Sequence, residues 1–239
     1  MHDNVQSLIN RYLQQRAETG EKMLYKPFDS ELPESEPAVT ATAEVTELAI
    51  DNFTEAANLE ELYGAINQCQ RCPLGATRNS FVFGVGNPRA DIMFVGEAPG
   101  AEEDRQGIPF VGRAGQLLDK ILAAMKLTRN DIYIANILKC RPPNNRDPQP
   151  EEAATCEPYL HHQIKLIEPK IICCLGRIAA QRLLQTNMSL AQMRDRWFDY
   201  RGTLLMVTYH PAALLRNPNF KRPTWEDMQK LMKKLEEMK

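Results

Sequence analysis

Four cysteines are spaced so that they could share one metal centre. Cys69 and Cys72 form a Cys-x-x-Cys, and Cys140 and Cys156 follow later in the chain, with fifteen residues between them. Four thiolates suit an iron–sulfur cluster, and also a zinc ion. A zinc ribbon would carry a second Cys-x-x-Cys, which this chain lacks. The loose second pair therefore favours the cluster, with zinc or unrelated thiols as the alternatives. Cys173 and Cys174 lie inside an apolar run and read as small buried hydrophobes.

Polar residues that could work on a substrate stand close to these cysteines in the sequence. Gly96-Glu97-Ala98-Pro99-Gly100 follows an apolar run, so a buried strand would turn at Gly96 with the Glu97 carboxylate at its lip. A capping acid at a strand-to-helix turn is the plainer reading. No Gly-Lys-Ser/Thr follows, which excludes a Walker loop. Within Pro109-Phe110-Val111-Gly112-Arg113, Phe110 could offer a ring face to a planar ligand, although most Phe side chains are core. Asn136 ends a second apolar run, where its amide could present a donor and an acceptor to a base edge, or simply form a turn. His210, before Pro211, is biased to extended backbone at the end of a fourth run. Leu214 and Leu215 beside Arg216 could wedge into a base stack while the arginine holds a phosphate.

These residues need a scaffold that brings strand ends together. Ile92–Val95, Ile132–Ala135, Ile171–Leu175 and Leu204–Val207 are continuous apolar runs, as expected for parallel strands buried on both faces. Helical patterns lie between and after them, at 114–125, 151–167, 177–184 and 225–238. This alternation predicts a three-layer α/β/α sandwich around a central four-stranded parallel sheet. In such sheets ligands bind beyond the carboxyl ends of the strands, where the motifs above fall.

The chain has 239 residues, 43% hydrophobic and 25% charged, with a net charge of −2. Its charge is uneven. Residues 1–58 hold 4 Lys+Arg and 11 Asp+Glu, a net −7, and the remainder holds 25 and 20, a net +5. A mildly basic domain is compatible with phosphate contacts. Residues 1–58 read as an acidic extension: a short amphipathic helix over 4–17, then a largely disordered Glu/Ala/Thr/Pro linker. The helix is either a frayed end or a docking segment for a protein partner. Residues 59–239 are expected to form the folded domain. No apolar run reaches a membrane span and no secretory h-region opens the chain, so a cytoplasmic protein is expected.

Taken together, the four cysteines, Gly-Glu-Ala-Pro-Gly, Pro-Phe-Val-Gly-Arg-Ala-Gly, Asn-x3-Cys-Arg-Pro-Pro and His-Pro-x3-Leu-Arg closely resemble the family 4, iron–sulfur uracil-DNA glycosylases. The resemblance spans roughly residues 59–239. It implies a DNA-repair enzyme, a monomer acting on uracil-containing DNA, that hydrolyses the N-glycosidic bond of deoxyuridine and leaves an abasic site. It implies a [4Fe–4S] cluster on Cys69, Cys72, Cys140 and Cys156. It assigns catalysis to Glu97 and His210. Gly96, Ala98, Glu103, Phe110, Asn136 and His210 would line the uracil site, with Glu103 near the uracil C5 edge, Phe110 stacked on the base and His210 on its O2. Leu214, Leu215 and Arg216 would meet the DNA. A related class binds uracil-DNA and becomes covalently trapped through an extra His in a basic Arg-Ile-His insertion. Residues 142–155 contain no His, which favours turnover over stable binding.

Overall fold

The computed structural model describes residues 50–238. The expected helix over 4–17 and most of the expected linker lie outside the described residues.

Six strands form one sheet, in the order β1-β3-β2-β4-β6-β5. They are β1 (Val85–Gly86), β2 (Ile92–Gly96), β3 (Tyr133–Asn136), β4 (Ile171–Leu175), β5 (Trp197–Tyr200) and β6 (Thr203–Thr208). The four inner strands are mutually parallel and correspond to the four apolar runs. Every residue of β2, β3 and β4 is buried, which is why those strands read as unbroken hydrophobic segments. Two antiparallel edge strands, β1 on β3 and β5 on β6, widen the expected four-stranded sheet to six. A tight turn joins β5 to β6, with Arg201 and Gly202 both at positive φ, matching the twist of a hairpin.

Helices α1 (Leu59–Ile66), α2 (Leu74–Thr77), α3 (Ala101–Gln106), α4 (Arg113–Ala124), α5 (Pro150–Ile167), α6 (Arg177–Leu184), α7 (Leu190–Met193), α8 (Pro211–Arg216) and α9 (Lys221–Glu237) complete the domain. Alternate strand residues feed two cores. On one face Met93, Val95, Tyr133, Ile172 and Val207 pack with α1, α5 and α6. On the other Phe94, Ile134, Cys173 and Met206 pack with α4 and α9. Cys173 and Cys174, both fully enclosed, point into opposite cores as small hydrophobes.

Packing begins before Leu59. Phe53 and Ala56, inside the stretch read as linker, are buried. The Phe53 ring meets Tyr159 edge-on at 4.8 Å, and the Ala56 carbonyl bonds the His162 ring at 2.9 Å. One isolated Phe at the end of a polar stretch left little trace of this anchoring in the sequence pattern.

Candidate active site and cysteine cradle

The parallel strands all end on one side of the sheet. There, a cleft of about 530 Å³ is lined by Glu97, Ala98, Glu103, Phe110, Asn136, Asp147, Gly176, Arg177, His210 and Arg216, among others. Glu97 follows β2, Asn136 ends β3, Gly176 follows β4, and His210 follows β6. The ladder between β2 and β3 continues past both strands, with Ile137 and Leu138 N–H donating to the Gly96 and Glu97 carbonyls at 3.0 Å. The Glu97 backbone is thereby fixed to the segment that leads to Cys140.

Asn136 is 2% exposed, and its Oδ1 has no hydrogen-bond partner. An unpaired buried amide oxygen carries a desolvation cost that a ligand can relieve. Gly96 makes room for it. A Cβ there would collide with Asn136 Oδ1 and stand 2.6 Å from Phe110 Cζ. Phe110 closes the cleft as a buried wall, its ring 5.5 Å from that of His210 and tilted 32°. Its φ is +54°, unusual for a bulky residue. Arg129 clamps this strained turn by donating to the Pro109 carbonyl at 2.9 Å and to the Phe110 carbonyl, with Asp119 behind it. Gly115 lets α4 approach, since a Cβ would collide with the Phe110 carbonyl.

Two titratable groups that line the cleft are shifted in opposite directions. Burial, reinforced by Asp147 and opposed by Arg177, pushes the Glu97 carboxyl up to about 7. Burial, helped by Arg216 and opposed by Glu103, pulls His210 down to about 4, so the imidazole is neutral at pH 7. His210 Nδ1 accepts the Ala212 N–H at 3.1 Å, as the N-cap of α8. That bond leaves the proton on Nε2, which is free to donate.

Glu103 lines the cleft, but its carboxylate is committed. One oxygen accepts Val111 and Gly112 N–H at 2.9 Å each, and the other accepts Gly100 N–H at 3.1 Å. It staples the loop after β2 to the loop that carries Phe110. Leu214, expected as a wedge, is only 2% exposed because α8 packs on α4. Leu215 is 41% exposed, and Arg216 is among the residues lining the cleft. Asp147, Gly176 and Arg177 were not singled out from the sequence. Gly176-Arg177 follows an apolar run just as Gly96-Glu97 does, and that signal could have found it.

The four cysteines gather beneath one sheet face, Cys69, Cys140 and Cys156 buried and Cys72 partly so, all as free thiols. Among the described residues no three His, Cys, Asp or Glu side chains converge as a group able to hold a single metal ion. The surroundings are those of an anionic centre. Arg78 donates to Cys140 Sγ at 3.2 Å and to the Cys69 carbonyl at 2.6 Å. Lys139 N–H lies 3.3 Å from Cys156 Sγ, and Tyr159 OH lies 3.1 Å from Cys69 Sγ. Burial pushes the Cys156 thiol up to about 12 despite Lys139, and a bound cation would compete with its proton. Cys156, Tyr159 and Gln163 reach this region from one face of α5, at spacings of three and four. A buried all-cysteine donor set, ringed by N–H donors and cations, fits an iron–sulfur cluster.

The chain is similar to known proteins over most of its length. The sequence profile of the Uracil DNA glycosylase superfamily matches residues 83–229. A type-4 uracil-DNA glycosylase of Archaeoglobus fulgidus is 44% identical over 184 residues, covering 73% of this chain and 92% of that protein. Type-4 uracil-DNA glycosylases of Saccharolobus solfataricus and Thermotoga maritima are 42% and 41% identical. They cover 74% of this chain each, and 87% and 95% of their own lengths.

Proposed function

The chain belongs to the uracil-DNA glycosylase superfamily and is a uracil-excising DNA-repair hydrolase; from that premise we propose which of its groups perform the reaction. The observation that carries the assignment is the buried Asn136 amide, with Oδ1 unpaired, at the floor of a cleft walled by Phe110 and flanked by Glu97 and His210.

The target bond is buried in a duplex, so the nucleotide must leave the stack. Exposed Leu215 fills the gap and Arg216 holds a phosphate. Uracil stacks on Phe110. The Asn136 amide donates to uracil O4 and accepts its N3–H; cytosine presents the reversed pattern and would leave both groups unpaired. As the C1′–N1 bond breaks, positive charge grows on the sugar and negative charge on the base. Ionised Glu97 stabilises the first and takes a proton from the water whose oxygen bonds to C1′. The His210 Nε2–H donates to uracil O2 and stabilises the second. Each preorganised group of this kind is worth about 3–4 kcal/mol. The leaving uracil anion takes its proton from solvent.

Cys69, Cys72, Cys140 and Cys156 would hold a [4Fe–4S] cluster, whose chemistry here is ligation that fastens the Cys69–Cys72 loop to the Cys140 segment. The reaction requires no electron transfer. We read the protein as a cytoplasmic monomer with residues 59–239 as its catalytic domain. No helix among the described residues is long and apolar enough to cross a membrane.

Single-turnover excision from DNA carrying one deoxyuridine tests the assignment. Uracil release by the unaltered protein, reduced about 10²- to 10³-fold by Glu97→Ala and by His210→Ala, is expected. Wild-type rates in both variants would sink the assigned roles. A denaturant-resistant adduct with no released uracil would point to a covalent binder instead.

A further inference from the structure

Lys139 is fully enclosed, with 0% exposure, in the segment between Asn136 and Cys140. An ammonium group is strongly hydrated and is almost never fully buried without a partner. Its Nζ donates to the Asn136 carbonyl at 2.9 Å and to Gln163 Oε1 at 2.6 Å, both neutral acceptors. Its main chain faces the other way. The N–H donates to Cys156 Sγ at 3.3 Å, and the carbonyl accepts Val82 N–H at 2.8 Å. Gln163 is itself fixed, donating to the Phe83 carbonyl at 3.0 Å and to Tyr133 OH at 3.4 Å. One residue therefore touches the cysteine cradle with its backbone and the end of β3 with its side chain. The Asn136 Oδ1 has no partner of its own, so its aim depends on what holds its main chain.

We propose that Lys139 is a positioning residue for uracil readout: it ties the cysteine cradle to the Asn136 backbone and so holds the Asn136 amide in register with the base. The proposal rests on the reading of Asn136 as the uracil reader and of the four cysteines as cluster ligands. A mere filler of the core would affect every step that depends on folding. A tie to Asn136 acts only while the amide is present.

That difference sets the experiment. Lys139→Met and Gln163→Met are each made in the full-length protein and in an Asn136→Ala background. Single-turnover uracil release is measured with enzyme in excess, so the rate constant does not depend on the misfolded fraction. Lys139→Met is expected to slow release about 10- to 100-fold, the effect of displacing a substrate-positioning group by a fraction of an ångström to an ångström. Gln163→Met, which keeps the ammonium and removes one acceptor, is expected to slow it less and carries the test should Lys139→Met fail to fold. Neither should slow Asn136→Ala further. The visible iron–sulfur absorbance of Lys139→Met is expected to fall faster in chelator than that of the unaltered protein. Equal slowing in both backgrounds, no slowing in either, or unchanged chelator resistance would each overturn the tie. An Asn136→Ala variant as fast as the unaltered protein would instead sink the underlying reading of Asn136, and the tie with it.

Discussion

The cleft and the cysteine cradle stand at opposite ends of the segment from Asn136 to Cys140, and they treat polar groups in opposite ways. In the cradle, groups are matched to one another. Arg78 serves two carbonyls and a sulfur, Lys139 serves a carbonyl and an amide, and Tyr159 meets Cys69. In the cleft, groups are left for something else. Asn136 Oδ1 has no partner, Glu97 is poised near pH 7, and His210 keeps Nε2–H free. Matched polar groups rigidify a fold, while unmatched ones hold free energy that only a substrate releases. The two regions should therefore answer mutation differently: the cleft in rate, the cradle in stability, with Lys139, which touches both, the exception that also answers in rate.

Glu97→Gln should show the widest separation. Loss of the carboxylate is expected to slow single-turnover excision about 10²- to 10³-fold. Stability should move the other way. Because the folded protein raises the Glu97 carboxyl to about 7, it binds that proton more tightly than the unfolded chain does. The resulting contribution is present below the ordinary value near 4.5 and is lost as pH rises to about 7. Glu97→Gln should therefore raise the melting temperature at pH 8 and leave it nearly unchanged at pH 4. A slow variant that is also less stable at pH 8 would break the comparison.

Arg78→Leu is the converse. It removes three hydrogen bonds, to Asn67 and Cys69 carbonyls and to Cys140 Sγ. Stability is expected to fall by about 2–3 kcal/mol, read as a lower urea midpoint with an unchanged slope. The single-turnover rate constant of the folded fraction should change little. A large fall in rate at unchanged stability would place Arg78 with the cleft instead.

Leu215→Ala probes an exposed side chain beside Arg216 of the cleft, where the fold itself asks for nothing. This side chain is 41% exposed, so its loss should leave stability unaltered. If it fills the space vacated by the nucleotide, excision from duplex DNA should slow by about tenfold, since unstacking costs a few kcal/mol. Excision from single-stranded DNA should hardly change. Equal slowing on both substrates would remove the wedge role.

How legible these regions were follows from the same contrast. The four parallel strands could be read because burial on both faces makes them unbroken apolar runs. Glu97, Asn136 and His210 could be placed at strand ends because Glu97 and Asn136 close upon such runs and His210 stands three residues beyond one, held extended by Pro211. The edge strands could not. β1 has two residues, β5 alternates between exposed and buried, and the Arg201-Gly202 turn lacks the usual Asn-Gly signal. Lys139 was hidden because lysine as a type predicts the surface, and only its place between Asn136 and Cys140 suggests otherwise. Leu214 and Leu215 are indistinguishable until α8 docks and turns one inward. The Glu103 carboxylate meets amides eight and nine residues away, a pairing created by the loop that the Gly100-to-Gly112 segment adopts.

The smallest expected effect separates the two influences on Glu97. Asp147 raises its carboxyl, while Arg177, 3.9 Å from Asp147, lowers it. His210, at about 4, is already neutral where Glu97 titrates, so the acid limb of the rate profile belongs to Glu97. Asp147→Asn removes one influence and releases Arg177 to act on Glu97 alone, and both changes favour ionisation. The acid limb should move below 7 by some tenths of a pH unit, no more than about one, because the Asp147 side chain is 73% exposed and water screens it. Added salt should shrink the shift, provided enzyme is saturating so that weakened DNA binding does not enter the rate. The rate at pH 8 should not change, since Glu97 is ionised there with or without Asp147. A limb that stays in place would assign the raised carboxyl to burial alone. A limb that moves, at a melting temperature unchanged at pH 4, would show that the cleft sets the charge of its acid with an exposed residue on which the fold does not depend.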